Sequence, residues 1–575
     1  MFVGYRKMFY STMSLPKVVI LSIFCIANVQ CHYNREPLVS TNFGDLKGSI
    51  LTSRLGKSIY SFRGIRYAEP PVKELRFKPP VPIEHVEGIY DATKDGPSCP
   101  QPGYEPVSED CLFLNVYTTK LPHGKYNPKR PVIVFIHSGG FYSSTSDSSW
   151  LGPHYFLDQD IVLVSFNYRI GTLGFLSTGD KEAPGNNGFK DQIVVLKWVQ
   201  KNIEKFGGDP NSVTILGYSA GGWSLVLHML SPLSEGLFHK GGSLSGSPLG
   251  IWPIPYNQTD IAKKQARILG CPDDTTANIV KCLKTKSADD LGNSLLQFRE
   301  YGSWLLLIWS PVIEPDVGEP RFLSDHPIRL IKNGHMKQIP YICGRTTEEV
   351  SYFANDILKN RTLTKELNDD FEKIAPVLFL YERNTNFSKR VSRKIKNVYF
   401  HDRPIDWSQE TNFKELYEDA VVGFQMHRAA KLISEYNKYP VYYYKFTYPG
   451  RYSFAYKDGT NNTIPYGVVH HDDLIYLFYN SKLFPLFKEH GPKEIEMVEK
   501  LTMLYANFAR TGNPTPGRSE ALDNTIWEPY NLTERKYLDI GKRLVVKEKL
   551  NENRFEVWEK LYPIQSYLEQ GNKNN

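Results

Sequence analysis

The sequence predicts an α/β protein built on a large, mostly parallel mixed sheet flanked by helices. Short β-branched and aromatic runs recur at residues 132–137, 161–167, 213–218, 339–344 and 441–446. Continuous apolar runs of this length fit strands buried on both faces. Between the second and third runs, Ile193, Leu196, Val199 and Ile203 fall near helical spacing within residues 187–206, and Gly207-Gly208 ends the pattern. Strand, helix and strand in that order make a crossover unit, which repeats into a parallel sheet. No repeat, heptad array or low-complexity linker interrupts the chain after its leader, so a single domain over residues 32–575 is expected. The more polar, helix-prone stretch at residues 355–395 is expected to form cap segments and the walls of a site.

Hydrophobic residues at 41% and charged residues at 23% are the balance of a folded globular chain. The net charge of +7 is spread out, with no Lys/Arg block or aromatic-interleaved basic stripe, so nucleic acid is not an expected partner. The histidines show no ligand spacing with cysteine or carboxylate partners, and neither metal nor cofactor is expected.

Arg6, Lys7 and Lys17 precede an apolar run over residues 18–29 that contains Asn28, and polarity returns at Gln30 and His32. The run falls short of the ~20 apolar residues a spanning helix needs and reads as a signal peptide over residues 1–31. The tail, residues 566–575, is polar and unlike a lipid-anchor signal. A secreted, extracellular protein with no stable membrane anchor is therefore expected. Secretion favours disulfides. Beyond the leader, Cys99 and Cys111, and Cys271 and Cys282, form two close pairs, each closing a small loop worth about 3 kcal/mol by chain entropy. Cys343 is left over as a buried thiol. Asn257, Asn360, Asn386, Asn461 and Asn531 head Asn-x-Ser/Thr sequons, expected glycosylation sites in that compartment.

Ser219 lies in Gly217-Tyr218-Ser219-Ala220-Gly221, after an apolar strand pattern and before an apolar helical one. A sharp strand-to-helix turn would hold this serine in a strained backbone with its hydroxyl exposed, and small neighbours let the chain pass closely. His137-Ser138-Gly139-Gly140-Phe141 follows the run at residues 132–137. Acyl transfer builds negative charge on a carbonyl oxygen, and fixed backbone amides stabilise it. The amides of Gly139, Gly140 and Ala220 are assigned to that oxyanion hole.

With these two motifs in hand, the chain resembles a type-B carboxylesterase, of an insect-esterase-like kind, in the carboxylesterase/cholinesterase family. The resemblance runs through nearly all of residues 32–575. It is carried by Phe62-Arg63-Gly64-Ile65-Arg66-Tyr67-Ala68-Glu69-Pro70-Pro71 and by Glu109-Asp110-Cys111-Leu112-Phe113-Leu114-Asn115-Val116-Tyr117. Asn167-Tyr168-Arg169, Gly185-Asn186-Asn187-Gly188 and Phe206-Gly207-Gly208-Asp209-Pro210 add to it. The resemblance implies an α/β-hydrolase fold, supports the two disulfides, and suggests ion pairs of Arg63 with Glu109 and of Arg169 with Asp191.

It also implies the remaining catalytic residues. Gly467-Val468-Val469-His470-His471-Asp472-Asp473 matches the family's histidine segment, which makes His470 the general base and His471 its neighbouring rival. Residues 339–344 followed by Arg345-Thr346-Thr347-Glu348-Glu349 match the acid segment, with Glu349 as the acid and Glu348 its rival. Val350 stands where the family usually has glycine. Ser245 and Asp473 are placed by resemblance in a polar network behind this triad.

The departures bear on substrate. Cholinesterases in the family carry glutamate before the nucleophile and a tryptophan on the first disulfide loop; here Tyr218 and a tryptophan-free loop, residues 100–110, speak against choline esters. Juvenile hormone esterases usually carry glutamine at the position of Tyr218. Trp252, Trp304 and Trp309 fall by family position near the acyl pocket, and Tyr218 beside the nucleophile is counted with them as substrate-binding. Large aromatics there would limit acyl bulk, so small, apolar esters with short to medium acyl chains are the expected substrates. A catalytically silent binding member of the family and a juvenile hormone esterase-like enzyme are the alternatives.

Overall fold

Val132, Ile133, Val134, Phe135 and Ile136 are each at most 1% exposed. Such a run can be buried on both faces only if sheet neighbours and helices enclose it. The computed structural model describes residues 36–302, 308–488 and 492–571; the expected signal peptide and Trp304 lie outside them. In chain order the strands are β1 (Leu38–Ser40), β2 (Asp45–Lys47), β3 (Ser49–Thr52), β4 (Ser58–Arg66), β5 (Ile89–Asp91), β6 (Phe113–Thr118) and β7 (Arg130–Ile136). They continue as β8 (Val162–Phe166), β9 (Gly208–Tyr218), β10 (Lys240–Leu244), β11 (Tyr341–Thr346), β12 (Val441–Phe446), β13 (Lys536–Ile540) and β14 (Leu544–Glu548).

Strands β1, β2 and β5 form a small sheet, and the other eleven form one large sheet in the order β14-β13-β12-β11-β10-β9-β7-β8-β6-β4-β3. The central strands from β13 through β8 run parallel. Antiparallel strands close the edges, β14 at one and β6, β4 and β3 at the other. This is the α/β-hydrolase architecture that the sequence predicts. Register sets where the central strands stop: Ile136 pairs with Gly217, and Leu244 with Tyr218, so β7, β9 and β10 end at one level. Loops leaving the carboxyl ends of parallel strands are where such sheets build their sites.

The crossover helix runs over Asn187–Asn202 and tightens into a 3-10 turn, Ile203–Phe206, before Gly207 at φ 80°. Helix Ala220–Leu230 follows β9 and is buried along its whole length. The polar stretch forms helices Tyr352–Lys359, Arg361–Asp369, Phe371–Phe379 and Asn386–Phe400. Beyond them, a π-helical turn, Asp419–Gly423, joins helices Glu410–Glu418 and Phe424–Tyr436.

Cys99 is joined to Cys111 and Cys271 to Cys282, while Cys343 is a buried free thiol. Arg169 meets Asp191 through Nε at 2.8 Å and Nη2 at 2.6 Å, both side chains enclosed. The Arg63–Glu109 pair does not form. Arg63 binds Asp95 at 2.8 Å, and Glu109 is taken by Nε and Nη2 of Arg76, at 2.6 and 2.5 Å. Both ends of that exchange are half-buried or buried, where a charge left unpaired is costly. No helix among the described residues is long and apolar enough to cross a membrane.

Candidate active site

Ser219 sits at the junction of β9 and helix Ala220–Leu230 with φ 55° and ψ −115°. A non-glycine residue there costs about 1–3 kcal/mol. The surroundings hold it in place: its amide donates to the Leu244 carbonyl at 2.7 Å, and its own carbonyl accepts from Trp223 at 3.0 Å. The flanking glycines are required by contact. A Cβ on Gly217 would lie 2.0 Å from the Gly221 oxygen, and one on Gly221 would lie 2.1 Å from the Ile136 oxygen.

The loop leaving β7 turns at Gly139, whose φ of 107° and whose distance of 2.0 Å from a Cβ to the Ser143 oxygen both demand glycine. Its carbonyl accepts from the amides of Tyr142 and Ser143, at 3.0 and 2.9 Å. His137 anchors this loop, stacked on Tyr168 at 4.4 Å. Burial pushes its pKa down to about 4, so it is neutral at physiological pH.

Glu349 follows β11, and His470 ends the long loop after β12. Their segments are clamped together by backbone: the His470 amide donates to the Glu349 carbonyl at 3.0 Å, and the Glu348 amide to the Val468 carbonyl at 3.0 Å. Glu348 itself faces away, its carboxylate accepting from the Val468 amide at 2.6 Å. Glu349 Oε2 takes Nδ1 of His470 at 2.5 Å. Oε1 accepts from Ser245 Oγ and from the Thr346 amide, each at 2.7 Å. Burial alone would raise the Glu349 pKa, but the facing His470 and these hydrogen bonds outweigh it and hold the carboxyl below its ordinary value. It is an ionised, fully enclosed acceptor.

Ser219, His470, Gly139, Gly140 and Ala220 open on one cavity of about 320 Å³. Trp252 lines it too, packed on Trp223 at 5.1 Å. Trp309 does not: it is fully buried and donates from Nε1 to Thr172 Oγ1 at 3.0 Å. Its expected place at the acyl pocket is corrected to core packing. Tyr218 is also corrected. As the last residue of β9 it turns behind the histidines, where its hydroxyl accepts from the His471 amide at 2.8 Å and hydrogen-bonds with Asp473 and Ser245. Tyr352, Phe353, Leu380, Val421 and Val422, none of them singled out in the sequence, complete the apolar wall. Val421 and Val422 reach it from the π-helical turn, which no local pattern announces. Among the described residues no cluster of histidine, cysteine and carboxylate side chains is arranged to hold a metal.

A model of the carboxylesterase family matches residues 35–558. Esterase FE4 of Myzus persicae is 36% identical over 525 residues, covering 89% of this chain and 90% of that one. A juvenile hormone esterase of Tribolium castaneum is 36% identical over 544 residues, covering 90% and 91%. Among solved structures, juvenile hormone esterase from Manduca sexta, with OTFP covalently attached, is similar at a TM-score of 0.80 and 28% identity, covering 92% of this chain and 99% of that one.

Proposed function

The chain belongs to the carboxylesterase family and is a serine carboxylesterase, and we propose that Ser219, His470 and Glu349 perform its chemistry on small apolar esters. The observation that carries this is the bond between Glu349 Oε2 and His470 Nδ1 at 2.5 Å, formed at the wall of the cavity onto which Ser219 opens. With Nδ1 engaged, Nε2 of His470 is the nitrogen left for the serine and the substrate.

His470 removes the proton from Ser219 Oγ as that oxygen attacks the ester carbonyl. Negative charge gathers on the carbonyl oxygen, where the amides of Gly139, Gly140 and Ala220 receive it, each worth about 3–4 kcal/mol. Imidazolium, steadied by ionised Glu349, returns the proton to the departing alcohol and leaves an acyl-enzyme. Water repeats the sequence from the acyl side and frees the acid. Trp252, Trp223 and Phe353 shape the apolar wall, in keeping with short to medium acyl chains.

A second reading, hydrolysis of juvenile hormone, is favoured by the similarity to the Tribolium and Manduca enzymes. With either substrate the proposal includes secretion after loss of residues 1–31, with glycans at the exposed Asn257, Asn360, Asn386 and Asn461. Asn531 is half-buried, and its Nδ2 donates to Glu534 at 2.8 Å, so it is the least available of the five.

The test is a fluorophosphonate probe, with the adduct mapped by peptide mass, followed by p-nitrophenyl esters of increasing acyl length beside juvenile hormone. Labelling at Ser219 that Ser219→Ala abolishes is expected, with rates falling as the acyl chain lengthens. An adduct elsewhere, or none in folded protein, overturns the triad.

A further inference from the structure

Gln425 is a polar residue in an apolar wall. It lies in helix Phe424–Tyr436, just after the π-helical turn, is 3% exposed, and borders the cavity onto which Ser219 opens. A buried amide must find partners or destabilise the fold. Its Oε1 accepts from Trp223 Nε1 at 2.7 Å and from the Ser247 amide at 2.8 Å, and its Nε2 donates to the Val421 carbonyl. Indole and backbone N–H groups only donate and a carbonyl only accepts, so the side-chain amide has one orientation here.

Two of the three partners are fixed independently of Gln425. Ser247 follows Gly246, where a Cβ would stand 2.1 Å from the Ser219 oxygen, and Ser245, whose amide donates to the Gly344 carbonyl at 2.8 Å. Val421 belongs to the turn Asp419–Gly423, which Arg554 grips by its first residue. Arg554 Nη2 meets Asp419 at 2.7 Å and Glu418 at 3.2 Å, and Nη1 meets Glu415 at 2.8 Å. Anchored backbone on both sides therefore aims Oε1 at the indole.

Trp223, the third partner, is the ring on which the wall rests. Trp252 packs against it at 5.1 Å, and Phe141 meets it edge-on at 6.4 Å. Trp252 Nε1 is buried with no hydrogen-bond partner among the described residues, so packing alone positions that second indole. Turning the Trp223 ring away from Gln425 would leave its own N–H buried and unpaired, and that cost holds it in one place.

Resting on the esterase reading above, in which these rings bound the acyl group, we propose that Gln425 sets the upper length of the acyl chain by fixing the indole of Trp223. Gln425 is a positioning residue: it acts through Trp223 and transfers neither proton nor acyl group.

The measure is the ratio of kcat/KM for p-nitrophenyl octanoate to that for the acetate, taken within each variant so that a general loss of activity cancels. Gln425→Leu, which removes all three hydrogen bonds, is expected to raise the ratio by about fivefold or more. Gln425→Glu keeps an acceptor for the indole, and its ratio should lie nearer the unmodified enzyme's than that of Gln425→Leu. Trp223→Phe lacks the indole N–H, and adding Gln425→Leu to it should move the ratio by less than about twofold. A ratio unmoved or lowered in Gln425→Leu overturns the proposal. So does an equal rise on top of Trp223→Phe, or a ratio in Gln425→Glu as high as in Gln425→Leu. If Gln425→Leu does not fold, Gln425→Met, closer in length and shape, takes its place under the same outcomes. Probe labelling at Ser219 and acetate turnover in the unmodified enzyme report the esterase reading separately: their absence sinks that reading, whereas normal turnover with an unmoved ratio sinks this one alone.

Discussion

Ser245 Oγ donates to Oε1 of Glu349 at 2.7 Å, which leaves Oε2 to His470. Ser245 is itself held at φ 51°, so the carboxylate is gripped from a strained position and cannot rotate freely. A hydrogen bond to a charged group contributes about 1.5–3 kcal/mol. Ser245→Ala is therefore expected to lower kcat about tenfold with little change in KM, because the substrate itself does not touch Ser245's partner. Glu349→Gln, which presents an amide to His470, should cost on the order of 10³-fold or more in kcat. Steady-state kinetics on p-nitrophenyl butyrate separates the two, and equal losses would show that Ser245 does not act through the carboxylate.

The turn at Gly139 gives a sharper consequence. A methyl group there would stand 2.0 Å from the Ser143 oxygen, and relieving that contact must swing the amides on which the oxyanion depends. Gly139→Ala is expected to lower kcat by about 10²–10³-fold while the protein still melts cooperatively. Thermal unfolding followed by circular dichroism, beside the kinetics, checks both parts.

Much of this arrangement is readable from sequence because local chemistry dictates it. The runs that became β7, β8, β9, β11 and β12 are dominated by apolar and aromatic residues, which marks doubly covered strands, and Ser219 needs a turn that only small neighbours permit. Strand β14 escapes the same reasoning: one face is exposed along Leu544–Glu548, so it carries no continuous apolar signal. The cap walls are hidden for another reason. Val421 and Val422 reach the cavity through a π-helical turn, and Phe353 through a short helix, placements fixed by tertiary packing. Tyr218 shows how proximity in sequence misleads. One residue from the nucleophile, its side chain leaves the strand toward the far side of the histidines. Arg63 and Glu109 each found a nearer partner, in Asp95 and Arg76, which pairing by resemblance alone does not reveal.

Trp252 bounds the cavity against Trp223 at 5.1 Å, and its indole takes up a large volume on the acyl side. Replacing it with alanine opens room for several methylenes, each worth up to about 0.8 kcal/mol when buried. Trp252→Ala is expected to raise kcat/KM for p-nitrophenyl decanoate relative to the acetate by about tenfold or more. A chain-length profile unchanged from that of the unmodified enzyme would place the acyl group elsewhere.

Asp473 lies behind the histidine loop, accepting from Tyr444 at 3.2 Å, with its other oxygen unpartnered. Burial, reinforced by the nearby charge of Glu349, pushes its pKa up from 3.8 to about 7. Between those values the folded protein keeps a proton that the unfolded chain has released. Stability from this group is thus present at the acid end and is lost as pH rises from about 4 through about 7. Asp473→Asn cannot titrate and should lack that part of the slope, so its stability relative to the unmodified protein improves steadily from pH 4.5 to 7.5. Urea denaturation midpoints across that range provide the measurement. A constant difference between the two proteins would show that Asp473 is ionised in the folded state throughout, with the buried charge balanced by its tyrosine partners alone.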